Sequence, residues 1–315
     1  MDSITQAGVG AAIGHALLGR KFKPKGAILG AVVATIPDLD VLLYTVYDSY
    51  EMLSIHRGYS HSILFTLIGG FLMAYFLSKW SYTNAFSFLR LLIFSWLCLI
   101  THVLLDTFTA YGTQLYLPFS NERVSYDSIN VIDPLYTLPL LIGLLLCLWK
   151  KKPKFNYYGL FFSSVYLGLT LVNKLYIEHQ VSSLFSAKKI KYEHLLTMPV
   201  GIANINWYGV AKSSDSIYMI KYNLLNKKNY GVFSFPINDK YLNEIDVNVA
   251  KKMRWFAKGF YTVEKINGKI RVYNLQVDMR GIVNDKNHYT PTVGYFEISQ
   301  KNDGLEFSSG NISED

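Results

Sequence analysis

Three short stretches of the sequence carry histidines and carboxylates, which are common metal ligands in proteins. The stretches are "ATIPDLDVLLY" at 34–44, "HRGYSHS" at 56–62 and "THVLLDTFTAYGT" at 101–113. In chain order, their candidate ligands are Asp38, Asp40, His56, His61, His102 and Asp106. Because the set contains no thiol, it is typical of a zinc, manganese or iron site with nitrogen and oxygen ligands, and not of a structural cysteine site. It predicts a metal site if folding brings the three stretches together.

Spacing decides which of these side chains can share a helix face. His102 and Asp106 are four residues apart, so on a helix they lie one above the other and can hold one ion. In most isolated pairs of this kind, the carboxylate only holds the histidine through a hydrogen bond, and no metal is bound. His56 and His61 are five residues apart, which predicts His56 in a loop and His61 in the first turn of the next helix.

Long apolar segments surround the three stretches. Hydrophobic residues make up 50% of the 315 residues, which is high for a soluble enzyme. Nearly uncharged runs cover residues 4–19, 26–37, 62–78, 91–105, 134–149 and 157–173. Several runs are shorter than the roughly 20 residues that span a bilayer, but their flanks extend them. The pattern predicts a mainly α fold, with a polytopic membrane bundle of about six helices in residues 1–176 and a small soluble α+β domain in residues 177–315.

The basic residues predict how the bundle is oriented in the membrane. Ten of them lie on alternate connections: Arg20, Lys21, Lys23, Lys25, Lys79, Arg90, Lys150, Lys151, Lys152 and Lys154. Only Arg57 and Arg123 lie on the other connections. By the positive-inside rule, the ten face the cytoplasm, and the metal-binding stretches and the C-terminal domain are expected on the extracytoplasmic side of a multi-pass inner-membrane protein. The net charge of +8 is then mainly topological, and we expect no nucleic-acid partner.

The sequence predicts neither a disulfide framework nor a cleaved signal peptide. Both cysteines, Cys98 and Cys147, fall within apolar runs. "MDSITQAGVGAAIGHALLGRK" has no basic residue before its apolar part, so we expect it to be retained. Because this first segment is short and rich in glycine and alanine, a re-entrant or interfacial path is an alternative that would change the number of crossings by one.

Charges without a partner inside apolar segments favour a functional site. A carboxylate in a membrane helix costs about 2.5–3.5 kcal/mol on insertion scales. Asp38, Asp40 and Asp106 have no lysine or arginine within one helical turn. Asp38 and Asp40 are two residues apart and point the same way only if the backbone breaks at Pro37. The alternative explanation of this motif is a turn that simply ends the helix.

The candidate ligands are too many for one tetrahedral ion. His15, within the first apolar run, adds a seventh to the six above. Two divalent ions about 3.5–4 Å apart use such a set to bind the attacking and leaving oxygens of a displacement. Arg57 and Arg123 are natural partners of an anionic substrate oxygen, and a contact with lipid headgroups is the equal alternative.

The successive motifs resemble those of a known family. "MDSITQAGVGAAIGHALLGRK", "IPDLDVL", "HRGYSHS", "THVLLDTFTAYGTQL", "PFS" and "IDPLYTLPLLIG" look like the motifs of the YdjM-like bacterial inner-membrane proteins, described as metal-dependent hydrolases. The resemblance covers about residues 1–175. It implies a helical, multi-metal site at Asp38, Asp40, His56, His61, His102 and Asp106. The chain departs from the family at Gln6, where many members have a histidine, and at His15, where close relatives have an acidic residue.

Two classes of function fit these features. The first is a membrane-bound hydrolase that uses metal-activated water on a membrane-associated, phosphate-containing or ester substrate. Its expected partners are membrane lipids and an anionic or lipid-linked substrate. The alternative is a non-enzymatic membrane protein that binds metal, such as a carrier or an envelope-stress factor. A carrier needs polar groups leading to the cytoplasmic side, and the inner halves of the third, fifth and sixth apolar segments have few, which favours the hydrolase.

The C-terminal part shows the patterns of a mixed domain. "NINWYGVAKSSDSIYMIKYNLL" consists of two alternating runs about a Ser-Ser-Asp-Ser turn, which predicts a hairpin. "LNEIDVNVAKKMRWFAKG" predicts one amphipathic helix that ends at Gly259. Asn267 and Gly268 form a favoured tight turn and predict a second hairpin. The part contains no catalytic constellation.

Overall fold

The computed structural model of the chain describes residues 1–276, 294–301 and 304–311. The chain forms two compact units. The first comprises Met1–Leu43 and Ile55–Val172, and the second comprises Tyr44–Ser54 and Asn173–Asp315. The first unit is helical, and it contains all of the candidate metal ligands and both arginines of the outer connections.

Seven α-helices precede the first strand of the chain. They are α1 (Ser3–Phe22), α2 (Pro24–Ala34), α3 (Ser49–Ile55), α4 (Ile63–Lys79), α5 (Phe88–Thr107), α6 (Pro134–Lys150) and α7 (Lys154–Ala187). Short 3-10 helices cover Pro37–Thr45, Tyr59–His61 and Ser81–Thr83. Local chemistry explains where two of the helices start. At the start of α4, the Ser62 side chain accepts a hydrogen bond from the Phe65 amide at 3.1 Å. At the start of α2, Pro24 occupies a first helical position, where no amide proton is needed.

The apolar helices of the described residues include candidate membrane spans. By length and composition, α5 and α7 are long and apolar enough to cross a membrane. The number rises to four if two bent pairs each count as one span, namely α2 with Pro37–Thr45 and Ser49–His61 with α4, both bent by 54°. Helix α6 is apolar but has only 17 residues. The helical N-terminal region is confirmed, and the predicted number of six crossings stays a prediction.

Helices α1 and α2 form a close antiparallel pair through facing glycines. A Cβ atom on Gly30 would lie 2.0 Å from the carbonyl oxygen of Gly10, and one on Gly14 would lie 2.1 Å from the carbonyl oxygen of Gly26. Such distances leave no space for any side chain, so the two backbones touch directly. Since α2 leads into Pro37 and Asp38, this contact determines where the first of the three metal-binding stretches begins.

The second unit contains two antiparallel sheets of four strands, each in sequential order. The first sheet consists of β1 (His194–Val200), β2 (Asn206–Lys212), β3 (Ser216–Asn223) and β4 (Lys228–Pro236). The second consists of β5 (Tyr261–Ile266), β6 (Lys269–Asn274), β7 (Gly294–Lys301) and β8 (Gly304–Asn311). Helix α8 (Val247–Phe256) lies between them in the chain.

Local turn chemistry explains the predicted elements of this unit. The pairs β2–β3 and β5–β6 are the two predicted hairpins, which confirms both. Asn267 has φ 51° and Gly268 has φ 79°, the left-handed conformations that a tight hairpin turn requires. The predicted helix is confirmed over Val247–Phe256 only: a separate 3-10 helix covers Asp239–Glu244, and α8 ends three residues before Gly259, which has φ 79°.

Candidate metal centre

Four of the predicted ligands lie together in the helical unit. They are Asp38, His61, His102 and Asp106, and one ligand atom from each lies within 4.8 Å of all the others. Three of these residues are buried and Asp38 is partly buried. The three sequence stretches therefore meet at one point, where the end of the α2 segment, the start of α4 and the end of α5 come together.

The distances between ligand atoms are those of side chains directed at a common centre. The Nε2 atoms of His61 and His102 are 3.2 Å apart. Asp38 Oδ1 is 3.3 Å from His61 Nε2 and 3.4 Å from His102 Nε2. Asp106 Oδ2 is 3.4 Å from His61 Nε2 and 3.9 Å from His102 Nε2. One ion at the centre would be within reach of all four atoms.

The donor set and one buried oxygen fit a divalent cation. Two imidazole nitrogens that face each other at 3.2 Å cannot both carry a proton toward the centre. Two carboxylates balance the charge of one divalent ion, and neutral imidazole with carboxylate is a common zinc set. Among the described residues, Asp106 Oδ2 accepts no hydrogen bond although it is buried, and Arg57 Nε lies 3.1 Å away. The ion pair with Arg57 compensates this buried oxygen in part, and a bound ion would give it a direct bond as well.

The other oxygen of Asp106 is already engaged. Gln6 Nε2 donates to Asp106 Oδ1 at 3.0 Å, and the amine of Met1 also contacts this oxygen. Gln6 donates in addition to the carbonyl oxygen of His102 at 3.2 Å. These contacts hold the carboxylate so that Oδ2 faces the centre.

Asp40 supports His61 from the side opposite the centre. Asp40 Oδ2 accepts hydrogen bonds from the Arg57 amide at 3.1 Å and from Ser60 Oγ at 2.9 Å, and it lies 3.4 Å from His61 Nδ1. Ser60 Oγ is also 2.9 Å from His61 Nδ1. Since Ser60 donates to Asp40, its oxygen can accept from His61 Nδ1, which leaves the Nε2 lone pair of His61 for a metal. His56 Nδ1 lies 2.9 Å from Asp40 Oδ1.

Arg57 lies beside this centre, and both arginines of the outer connections contact the ring of one tyrosine. Arg57 Nη1 donates to Thr109 Oγ1 at 3.0 Å, and its guanidinium carbon is 4.9 Å from the centre of the Tyr111 ring. The guanidinium carbon of Arg123 is 4.3 Å from the same ring. Burial lowers the pKa of Arg123 to about 10, and the nearby charge of Arg57 acts in the same direction. Two buried cations thus share one tyrosine, and Arg57 connects this pair to Asp106.

Comparison with known proteins agrees with the motifs. Residues 1–177 match the family model described as "YdjM inner membrane protein". The chain belongs to the YdjM inner membrane protein family. No solved structure matches the chain.

Two curated proteins are similar to this YdjM family member. It is 30% identical over 146 residues to "Uncharacterized protein YfhP" of Bacillus subtilis, an alignment that covers 46% of this chain and 44% of YfhP. It is 30% identical over 122 residues to "Inner membrane protein YbcI" of Escherichia coli, which covers 38% of this chain and 69% of YbcI. The alignment with YfhP thus spans less than half of that protein.

The structure places the remaining predicted ligands outside the group of four. Asp40 and His56 contact each other in the layer behind His61. His15, on α1, lies beside Cys147 of α6, with 3.6 Å between its Nδ1 and the Cys147 sulfur. Sequence analysis noted Gln6 as a departure from the family motif but did not include it among the predicted site residues; the structure places it in contact with Asp106.

Asp40→Asn is expected to weaken metal binding about 10–100-fold without abolishing it, the range for residues that orient a ligand. The physical reason is that His61 loses the carboxylate that directs its ring. Competition with a zinc-binding dye on the purified protein measures the change. Asp215→Asn, which removes the same charge from the turn between β2 and β3, should leave the affinity unaltered. A complete loss of binding in Asp40→Asn would make Asp40 itself a ligand, and unchanged binding would remove its orienting role.

Proposed function

We propose that this protein is a membrane-bound, metal-dependent hydrolase whose centre is formed by Asp38, His61, His102 and Asp106. The observation that carries the proposal is the convergence of four ligand atoms within 4.8 Å of one another from three separate stretches. A set of two imidazoles and two carboxylates suits a divalent ion, for which zinc is the preferred candidate and manganese or iron the alternatives. Because Asp40 and His56 engage each other, the described geometry supports one ion, and a second ion stays a prediction.

The residues around the centre suit hydrolysis of an anionic group. When bound, a divalent ion supplies Lewis acidity and lowers the pKa of water. Arg57 and Arg123 add two guanidinium groups, whose planar fork matches phosphate and carboxylate oxygens. Both guanidinium groups lie over the ring of Tyr111, and the hydrogen bond to Thr109 further restricts how Arg57 can turn. The proposed substrate therefore carries a phosphate or another anionic oxygen pair at the bond that is cleaved.

Exposed apolar side chains next to the ligands favour a membrane-associated substrate. Asp38 and Asp40 alternate with Leu39, Val41 and Leu42, which are 55%, 45% and 62% exposed. Such a surface is unfavourable in water and favourable against lipid. A substrate with an anionic group and an apolar tail could present both parts to this end of the unit. The positive-inside pattern leads us to propose that this end faces the extracytoplasmic side.

The proposal is tested by turnover assays on the purified full chain with added zinc or manganese. Phosphodiesters, phosphomonoesters, lipid phosphates and carboxylic esters are compared, with His102→Ala as the metal-site control. Turnover that depends on both metal and His102 is the expected result. If no substrate is turned over while cellular metal accumulation follows the ligand variants, the protein is a carrier and the hydrolase proposal is wrong.

Arg57→Lys separates the role of the guanidinium from that of the metal. We expect metal content to stay at the wild-type value and kcat/KM to fall roughly tenfold or more, because lysine keeps the charge but loses the two-pronged hydrogen-bond geometry. Metal analysis and steady-state kinetics on one preparation measure both quantities. Arg90→Lys is the matched control: Arg90 lies at the start of α5, whereas the ligands His102 and Asp106 lie near its end, so this variant should retain full activity. Wild-type kinetics in Arg57→Lys would restrict Arg57 to a structural contact.

A further inference from the structure

A cavity lies in the helical unit away from the metal centre. It has a volume of about 540 Å³ and opens between the end of α1, helix α2 and the turn that follows α4. Its apolar lining consists of Phe22, Ile28, Leu29, Val32, Trp80 and Tyr82. Among the described residues that line it, Lys25 alone is charged. A volume of this size falls within the range of small-molecule binding sites, about 300–1,000 Å³.

Helix directions separate this cavity from the metal centre. Helix α4 begins just after His61 and ends just before Trp80, so its two ends belong to the two features. At 1.5 Å per residue, its 17 residues span about 25 Å. Helix α2 likewise begins beside Lys25 and leads toward Asp38. The cavity is thus at the opposite end of the same helices.

The charge around the cavity has one sign. Lys25 Nζ lies 5.6 Å from the centre of the Tyr82 ring, and Lys21 Nζ donates to the carbonyl oxygen of Ala85 at 2.7 Å. Lys79 belongs to the last turn of α4, directly before Trp80. Segments 3–37 and 52–105, which contain the whole lining, include no aspartate or glutamate. Lys25 in the lining, with Lys21 and Lys79 in neighbouring parts of the chain, gives this end of the helices a positive charge that favours an anionic ligand.

The two aromatic residues at the mouth are of the types found at the depth of lipid headgroups. Trp80 and Tyr82 pack edge to face with 5.4 Å between their ring centres. These two residue types concentrate at membrane interfaces, where an apolar ring and a polar tip are both satisfied. Ile28 and Val32 of the lining are 64% and 56% exposed, so the cavity is open on this side. The combination is a cationic mouth above an apolar cleft.

We propose that this cavity binds an anionic phospholipid, with an acyl chain against Leu29 and Val32 and the headgroup phosphate at Lys25. The apolar lining matches an acyl chain, and the lysines match a headgroup with net negative charge. This site does not depend on the proposed hydrolase activity. One lysine near a membrane surface changes the affinity for anionic lipid roughly fivefold, so phosphatidylglycerol should bind at least that much more tightly than phosphatidylcholine.

Titration of the delipidated full chain in detergent, followed by native mass spectrometry, tests the proposal. Phosphatidylglycerol and phosphatidylcholine with identical acyl chains are compared, and glycerol phosphate without acyl chains is a third probe. Lys25→Gln should reduce the preference for phosphatidylglycerol roughly fivefold. Leu29→Trp, which fills the cleft, should weaken binding of both lipids. Lys152→Gln removes the same charge from a different basic connection and should change neither.

Three results would overturn the lipid site. Equal affinity for the two lipids would remove the role of the headgroup charge. An equally large effect of Lys152→Gln would mean that the attraction is spread over the whole basic surface. Glycerol phosphate binding as tightly as the phospholipid would make the site a phosphate site without an acyl cleft. Because Lys25 is exposed, its replacement should leave the elution volume and the thermal midpoint unaltered, which separates loss of binding from loss of fold.

Discussion

His102→Ala and Asp106→Ala are each expected to reduce bound metal from about one ion per chain to background, and turnover should disappear with it. Residues that only orient ligands change affinity about 10–100-fold, so loss of a direct ligand should exceed that range. Asp106→Ala also leaves Arg57 Nε, 3.1 Å from Asp106 Oδ2 in the wild type, without its carboxylate. Metal analysis after dialysis, combined with competition against a chelator, measures the loss.

His15→Ala is the control that makes this result specific. It removes a histidine from the same helical unit, but one that lies beside Cys147 instead of the other ligands. We expect His15→Ala to retain metal at the wild-type ratio. If His102→Ala also retains it, the four-residue centre does not bind the ion. A ratio near two ions per chain in the wild type, reduced by His15→Ala or His56→Ala, would instead support the two-metal site that the number of candidate ligands suggested.

Gly30→Ala is expected to destabilise the helical unit strongly. Its Cβ would lie 2.0 Å from the Gly10 carbonyl oxygen and 2.9 Å from the Gly14 Cα atom, so α1 and α2 must separate. Overpacking typically costs about 1–3 kcal/mol, and contact with backbone on the facing helix places this case at the upper end. At about 2–4 °C per kcal/mol, the thermal midpoint in detergent should fall by roughly 5–10 °C.

The same substitution should also weaken metal binding. Helix α2 leads directly into Asp38, so a shift of α2 away from α1 moves one ligand relative to the other three. Gly168→Ala is the matched control, because a Cβ there would meet no atom within 4 Å and alanine favours a helix by about 1 kcal/mol over glycine. A Gly30→Ala protein that unfolds at the wild-type temperature would contradict the close approach of the two helices.

Local rules of the amino-acid sequence determined much of the fold and part of the site. His102 and Asp106 had to share a face because helix geometry alone sets the position of residues four apart. Asn267 and Gly268 determined a hairpin because few residue pairs accept two successive left-handed conformations. The apolar runs indicated a helical membrane region, and the alternating C-terminal runs indicated strands, since both periods are properties of the backbone.

Only the tertiary structure decided which candidate ligands meet. Asp38 and Asp40 are nearly equivalent in sequence, yet one faces the Nε2 atoms of the two imidazoles and the other lies behind His61 at Nδ1. His15 looked like a ligand by residue type and lies beside Cys147. No local rule relates residues on different helices, because their distance depends on how closely the helices approach and at what rotation. In this protein, contacts between glycine backbones set that approach for α1 and α2, and glycines carry no chemical sign of a metal site.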